Sequence, residues 1–127
     1  MRIRITFGLP FVTANVHIAG VTVDLDTVLL DTGSAGTILS ADRLLELGIT
    51  PAPDDPLTRI RGVGGAEWVF SKRVSSLVVG PLAASEFQVQ VGALDYGMPL
   101  DGIIGVDFLL QVGAVVDLRR REVVPGA

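Results

Sequence analysis

An aspartate followed directly by two small hydroxyl residues around a glycine, Asp31-Thr32-Gly33-Ser34, is the strongest chemical signal in the chain. Before it, Val28-Leu29-Leu30 breaks the alternation of a half-buried strand and becomes continuously apolar, so a buried strand delivers a carboxylate to its tip. Gly33 lets another backbone approach, and Ser34 is placed to donate a hydrogen bond to the carboxylate and favour its ionised form. The same four residues also suit an ordinary β-turn whose Asp and Ser satisfy the backbone.

Other chemistries have less to work with. The chain has no cysteine and one histidine, His17, which excludes disulfides, zinc-thiolate sites and thiol catalysis and argues against a serine-histidine triad or a histidine-rich metal site. Carboxylates remain for acid-base work, and neither a metal nor a cofactor is expected. Ten basic residues against fourteen acidic ones give a net charge of -4, with Arg119, Arg120 and Arg121 as the one basic cluster, so nucleic acid is not an expected partner. Those arginines read as an exposed turn, and His17, between Val16 and Ile18, as a solvent-facing or hydrogen-bonded strand residue. The string Asp24-Leu25-Asp26-Thr27-Val28 matches a phosphatase nucleophile motif, but the α/β context and later acidic ligands that motif requires are missing. Gly62-Val63-Gly64-Gly65 has the look of a phosphate loop, yet no helix follows it.

The elements that must position Asp31 follow from length and pattern. With 127 residues the chain has material for one domain, residues 1–127, and its apolar share of 49% is enough for a core. No apolar run approaches the roughly 18 residues of a membrane span. Glycine is frequent, and the apolar segments between glycines and prolines are short and rich in Val and Ile, which predicts an all-β fold with one or two short helices. Ile3, Ile5 and Phe7 alternate with polar residues as a strand over Arg2 to Phe7 would, and Gly8 and Pro10 interrupt any signal-peptide segment. Further strands are expected at Val12 to Ile18, Val21 to Leu25, Thr27 into Asp31, Leu57 to Arg61, Ala66 to Lys72, Val74 to Val79 and Ser85 to Val91, with Ile103-Ile104-Gly105 a short buried one. Ser40 is placed to cap a helix from Ala41 to Leu47, and Val106 to Gln111 reads as a second. The glycine cluster makes the tip of a long hairpin, and Ala114 to Leu118 returns to strand.

Taken together, the segment Leu29 to Ser34, the glycine hairpin, Ile103-Ile104-Gly105 and the helix after it resemble the retropepsin-like aspartic proteases, in that family's order and approximate spacing. The resemblance spans Val12 to Val124, and the ending from Val116-Asp117-Leu118 through Val124 is similar to the cellular and bacterial branch rather than the retroviral one. It implies a closed-barrel-like acid protease half-domain with a flap hairpin, active as a homodimer. It also implies endopeptidase chemistry, in which two facing aspartates share one proton and activate a water. This chain offers one such aspartate. Asp95-Tyr96-Gly97 lacks the hydroxyl residue and Asp101-Gly102 is misplaced, so the second aspartate is expected from a second copy of the chain.

By the same resemblance Asp31, Thr32 and Gly33 are the catalytic loop, with Thr32 bonding across the dimer axis and Gly33 bonding substrate backbone. Gly62, Val63, Gly64 and Gly65 form the flap over an extended peptide, and Ile103, Ile104 and Gly105 pack under the loop. Trp68, on the flap's return strand, floors a substrate pocket or anchors the flap's base. Ser34 implies a dyad ionising at lower pH and an acidic optimum. Two departures stand out: Ala35 and Val106 occupy positions where retroviral members place an acid and an arginine, so both halves of an ion pair are missing together. The rival reading is a noncatalytic dimerisation or peptide-binding module that keeps the protease fold. A cysteine-free chain favours a reducing cytoplasm and is also compatible with an acidic or extracytoplasmic setting.

Overall fold

A computed structural model describes residues 1–62, 65–94 and 97–126, with the backbone alone at residues 58, 60–62 and 65–68. In chain order the strands are β1 (Arg4–Thr6), β2 (Leu9–Ile18), β3 (Val21–Leu30), β4 (Ile38–Ser40), β5 (Leu57–Gly62), β6 (Gly65–Val79), β7 (Leu82–Gly92), β8 (Gly102–Ile104), β9 (Ala114–Asp117) and β10 (Glu122–Pro125). Two short helices interrupt them, α1 (Ala41–Leu45) and α2 (Val106–Gln111). The expected all-β class with two short helices is what folds.

The large sheet runs β1-β2-β3-β8-β4-β7-β6-β5, and a further pairing of β2 with β6 closes it. Six strands, β2, β3, β8, β4, β7 and β6, therefore ring a barrel from which β1 and β5 extend as hairpin arms. Closure removes the sheet edges that would otherwise template aggregation. The β3–β8 and β4–β7 ladders are parallel and the rest antiparallel.

Period-two alternation decides which side chains fill the barrel. On β3, Val23 and Leu25 point inward while Asp24 and Asp26 are exposed, and a register shift against β2 between Leu25 and Val28 re-phases the strand so that Val28 and Leu30 also point inward. The core adds Val12, Val16 and Ile18 from β2, Leu77 and Val79 from β6, and Phe108 from α2. Phe108 is fully buried and meets Phe87 edge-on, ring centroids 5.9 Å apart. Each such side chain stabilises the fold by roughly 1.5–3 kcal/mol. Next along β3, β8 and β4, residues Leu29, Ile103 and Ile38 point the other way and join Phe11 and Leu100 in a second, smaller cluster.

Several expected boundaries shift. Two predicted strands fuse into β3 and two into the 15-residue β6, because barrel pairing carries a strand through local breaks in its pattern. Helix α1 is capped as expected, Ser40 Oγ accepting from Arg43 N at 3.2 Å, but ends at Leu45. The N-terminal segment is the clearest correction. It is not one alternating strand: Met1 to Ile3 pairs with β10, with Val123 N donating to Met1 O and Ile3 N to Arg121 O, both at 2.8 Å. The chain then crosses to the barrel as β1, so Ile3 is buried while Ile5 and Phe7 are exposed, Phe7 standing in the turn to β2. Arg119 to Arg121 form the exposed turn expected of them, and His17 is half-buried with Nδ1 3.0 Å from Thr22 Oγ1. No helix is long and apolar enough to cross a membrane.

Candidate active site

Strand β3 ends inside the barrel wall, and its next residue is Asp31. The register puts β8 along one side of β3, with Leu30 opposite Ile104, and the Asp31 amide donates to the Ile104 carbonyl at 2.9 Å. The carboxylate thus sits on a backbone held from below by the apolar-apolar-glycine strand. The loop then closes on itself. Gly33 N donates to Asp31 Oδ1 at 2.9 Å and Ser34 N to the Asp31 carbonyl at 3.1 Å. A Cβ on Gly33 would lie 3.2 Å from that same Oδ1, so glycine gives the carboxylate room to be held by an amide instead of a side chain. Asp31 is half-buried, and Thr32 and Gly33 are exposed.

Ser34 behaves differently from the expectation. Its hydroxyl donates to the Gly36 carbonyl at 2.7 Å, and one proton cannot also serve the Asp31 carboxylate. The expected acidic optimum loses its premise.

Gly105 is the contact point between the Asp31 loop and the turn from β8 into α2. A Cβ there would stand 2.5 Å from the Gly36 carbonyl oxygen and 2.8 Å from that of Ser34, both backbone atoms. Beside it, Val106 N donates to the Ser34 carbonyl at 2.8 Å. The exposed Ala35 and half-buried Val106 leave no ion pair here, and backbone contact joins the two segments instead.

The residues that lock this junction were not singled out from the sequence. Thr37, fully buried, receives Gly105 N on its hydroxyl oxygen at 3.1 Å and donates that hydroxyl to Asp107 Oδ1 at 2.7 Å. Asp107 Oδ2 also accepts from Thr37 N at 3.1 Å. A hydroxyl thereby bridges an amide and a carboxylate, a charge-assisted chain that is strong because it is screened from water. The signal for Asp107 was a carboxylate in the first turn of a six-residue helix whose N-cap, Gly105, has no side chain to offer. Asp101 has a similar duty at the other end of β8: its Oδ2 accepts from Asp26 N at 3.1 Å and Thr27 N at 3.0 Å, and Arg43 Nε lies 3.8 Å from Oδ1.

Of the expected hairpin, β5 and β6 pair antiparallel from Leu57 opposite Phe70 to Gly62 opposite Gly65. Val63 and Gly64, expected in the flap, Asp95 and Tyr96, and the Trp68 side chain lie outside the described residues. At the hairpin's base Lys72 Nζ meets Asp55 Oδ2 at 2.6 Å, and Ala52 N donates to the same oxygen at 2.7 Å. The Ala52 amide first, then the Lys72 ammonium, hold the Asp55 carboxyl below its ordinary 3.8. Among the described residues no cluster of three or more acidic or histidine side chains is arranged to hold a metal ion.

A family model described as aspartyl protease matches residues 13–108, about three quarters of the chain. The chain belongs to the aspartyl protease family. The match runs from β2 through the first turn of α2, so it contains the Asp31 loop, the β5–β6 hairpin, β8 and the Thr37–Asp107 junction, and the kind is retropepsin-like. No curated protein matches the chain. Within the matched span, the Asp31 carboxylate stands on a loop whose backbone is bonded to β8 and whose Oδ1 accepts from the Gly33 amide.

Proposed function

We propose that this aspartyl protease is an endopeptidase whose water is activated by a dyad of Asp31 residues from two copies of the chain. The observation that carries the reading is the division of labour among carboxylates around the loop. Asp107 is committed to Thr37 and Asp101 to the β3 backbone, so among the described residues Asp31 alone stands at the loop tip with an oxygen to spare. One carboxylate has to be both base and acid, or it has to find a mate. A mate at a few ångströms shares one proton with it, since two like charges that close do not both ionise. The ionised partner then takes a proton from the attacking water while the protonated one donates to the scissile carbonyl oxygen.

The small terminal sheet supports the second copy. Gly126 N bonds Gly113 O at 2.8 Å, which sets the alternation of the β9–β10 ladder so that Ala114 and Val116 turn their peptide groups away from β10. The outer edge of β10 is already taken by Met1 to Ile3. Among the described residues edge β9 is therefore the open one, with Val115 half-exposed on it, and two such edges could pair antiparallel about a two-fold axis. An extended peptide, recognised by main-chain pairing beneath the β5–β6 hairpin as a flap, is the substrate this arrangement suits.

The test compares the native chain with Asp31→Asn on a diverse peptide library from acid to neutral pH. Cleavage that falls at least about 10³-fold in the variant supports the protease. Binding without cleavage by both proteins would establish the noncatalytic module instead.

A further inference from the structure

Strand β3 carries one residue too many for its partner. Ala14 on β2 faces Leu25 and Val12 faces Val28, so Asp26 and Thr27 together stand opposite the single Thr13, which makes a β-bulge. The bulge decides which way Asp31 is delivered. Val23 and Leu25 face the core, and their alternation carried straight on would send residues 27, 29 and 31 inward and turn Leu30 out. With one residue inserted the phase reverses. Val28 and Leu30 are the buried ones, Leu29 joins the outer cluster, and Asp31 follows it in phase.

A bulge takes backbone groups out of the ladder, and side chains from two distant segments take up those of this one. Asp101 Oδ2 accepts from both Asp26 N at 3.1 Å and Thr27 N at 3.0 Å, while Asp101 N donates to the Thr27 carbonyl at 2.9 Å. Consecutive amides of a regular strand point to opposite edges, so one oxygen reaches both only at a bulge. From the start of β1 the Arg4 guanidinium donates to the Asp26 carbonyl and, at 3.1 Å, to Thr13 Oγ1.

Asp101 is itself fixed. Its carbonyl accepts from Ser40 N at 2.9 Å, and Arg43 Nε lies 3.8 Å from Oδ1. The next residue opens β8, whose Ile104 carbonyl holds the Asp31 amide. Parallel strands have no tight turn to set their register, and the Asp101–Thr27 bonds stand at the start of the ladder that pairs Val28 with Gly102 and Leu30 with Ile104.

We propose that Asp101 and Arg4 are positioning residues for Asp31: by holding the Thr13–Asp26–Thr27 bulge they fix the phase in which β3 presents the carboxylate. The proposal rests on Asp31 as the reacting carboxylate and is independent of where its mate comes from. Both side chains act through the β3 backbone. A contribution to stability alone would lower Tm and leave the rate of the folded enzyme unchanged. A positioning contribution lowers kcat, because the carboxylate is misdirected in every folded molecule.

The experiment compares the native chain with Asp101→Ala, Asp101→Asn and Arg4→Met. Each is assayed for kcat and KM on one peptide well below its own Tm, and its Asp31 carboxyl is titrated by carbon-13 NMR. Asn keeps an oxygen for the two amides and Ala keeps none, while Arg4 is exposed, so its replacement retains the fold. The expected result is a kcat at least about tenfold lower in Asp101→Ala with KM within about twofold, and most of that loss recovered in Asp101→Asn. Arg4→Met should give a smaller fall in kcat, and the Asp31 carboxyl signal should move in both it and Asp101→Ala. A folded Asp101→Ala with native kcat and a native Asp31 signal overturns the proposal, as does an Asn variant as impaired as the Ala variant. Where Asp101→Ala does not fold, Arg4→Met decides, and native kcat with an unmoved Asp31 signal there overturns it. A native chain that cleaves no peptide removes the protease reading, and the Asp31 titration then tests the positioning by itself.

Discussion

Replacing Thr37 with valine removes one oxygen and keeps the shape, which isolates the hydroxyl bridge under the Asp31 loop. Two hydrogen bonds go: the one to Asp107 Oδ1 at 2.7 Å and the one received from Gly105 N at 3.1 Å. A hydrogen bond to a charged group contributes about 1.5–3 kcal/mol net, and a buried amide left without an acceptor costs about 1–3 kcal/mol. The added methyl returns about 0.8 kcal/mol at a fully buried position. The expected loss is about 3 kcal/mol, or a fall in Tm of about 10 °C for a chain of this size. Thr37→Ser gives the internal control: it keeps the bridge and loses a buried methyl, at about 1 kcal/mol. Valine, the closer match in volume, should therefore be the more damaging of the two. Urea unfolding at one fixed protein concentration reads the difference, so that any association between copies contributes equally to every variant. A loss below about 1 kcal/mol for Thr37→Val, or a larger loss for serine than for valine, would refute the bridge as the lock on the loop.

Two further outcomes follow from the same geometry. Gly105→Ala puts a carbon 2.5 Å from the Gly36 carbonyl oxygen, a backbone atom that cannot swing aside, so the variant should lose about 3 kcal/mol or fail to fold, measured by the same unfolding curves. Lys72→Met should lower Tm at neutral pH. The Asp55 carboxyl is depressed in the folded chain, so its contribution is fully present above the ordinary 3.8 and is lost as pH falls through the lower folded value. The Tm gap between native and variant chains should accordingly close in strongly acidic buffer, and a gap constant with pH would contradict the pairing.

Local chemistry and pattern made much of this legible. The apolar run Val28 to Leu30 ending in Asp31 predicted a buried strand with a carboxylate at its tip, and the barrel places it so, because an apolar run and a charge can be reconciled only at a strand end. Ser40 as a helix cap was equally readable, being a short-range bond. What stayed hidden depends on distance along the chain. Thr37 and Asp107 meet across 70 residues, and nothing in the neighbours of either forecasts the other. The N-terminal segment misled for a related reason: Ile3, Ile5 and Phe7 alternate as one strand would, but competition between two sheets splits them, burying Ile3 and exposing the others. Ser34 shows the limit of reading a role from adjacency, since the Gly36 carbonyl outcompetes a carboxylate three residues away.

The shared dyad is tested most directly by mixing. Native chain and Asp31→Asn are combined at fixed total concentration, allowed to exchange subunits, and assayed on one peptide substrate. If each working site needs Asp31 from both copies, activity follows the square of the native fraction, and an equal mixture retains about a quarter of the native rate. A linear fall, with about half the rate left in the equal mixture, would mean that each Asp31 works on its own, and about three quarters left would mean that one Asp31 suffices for a shared site; either would contradict the account.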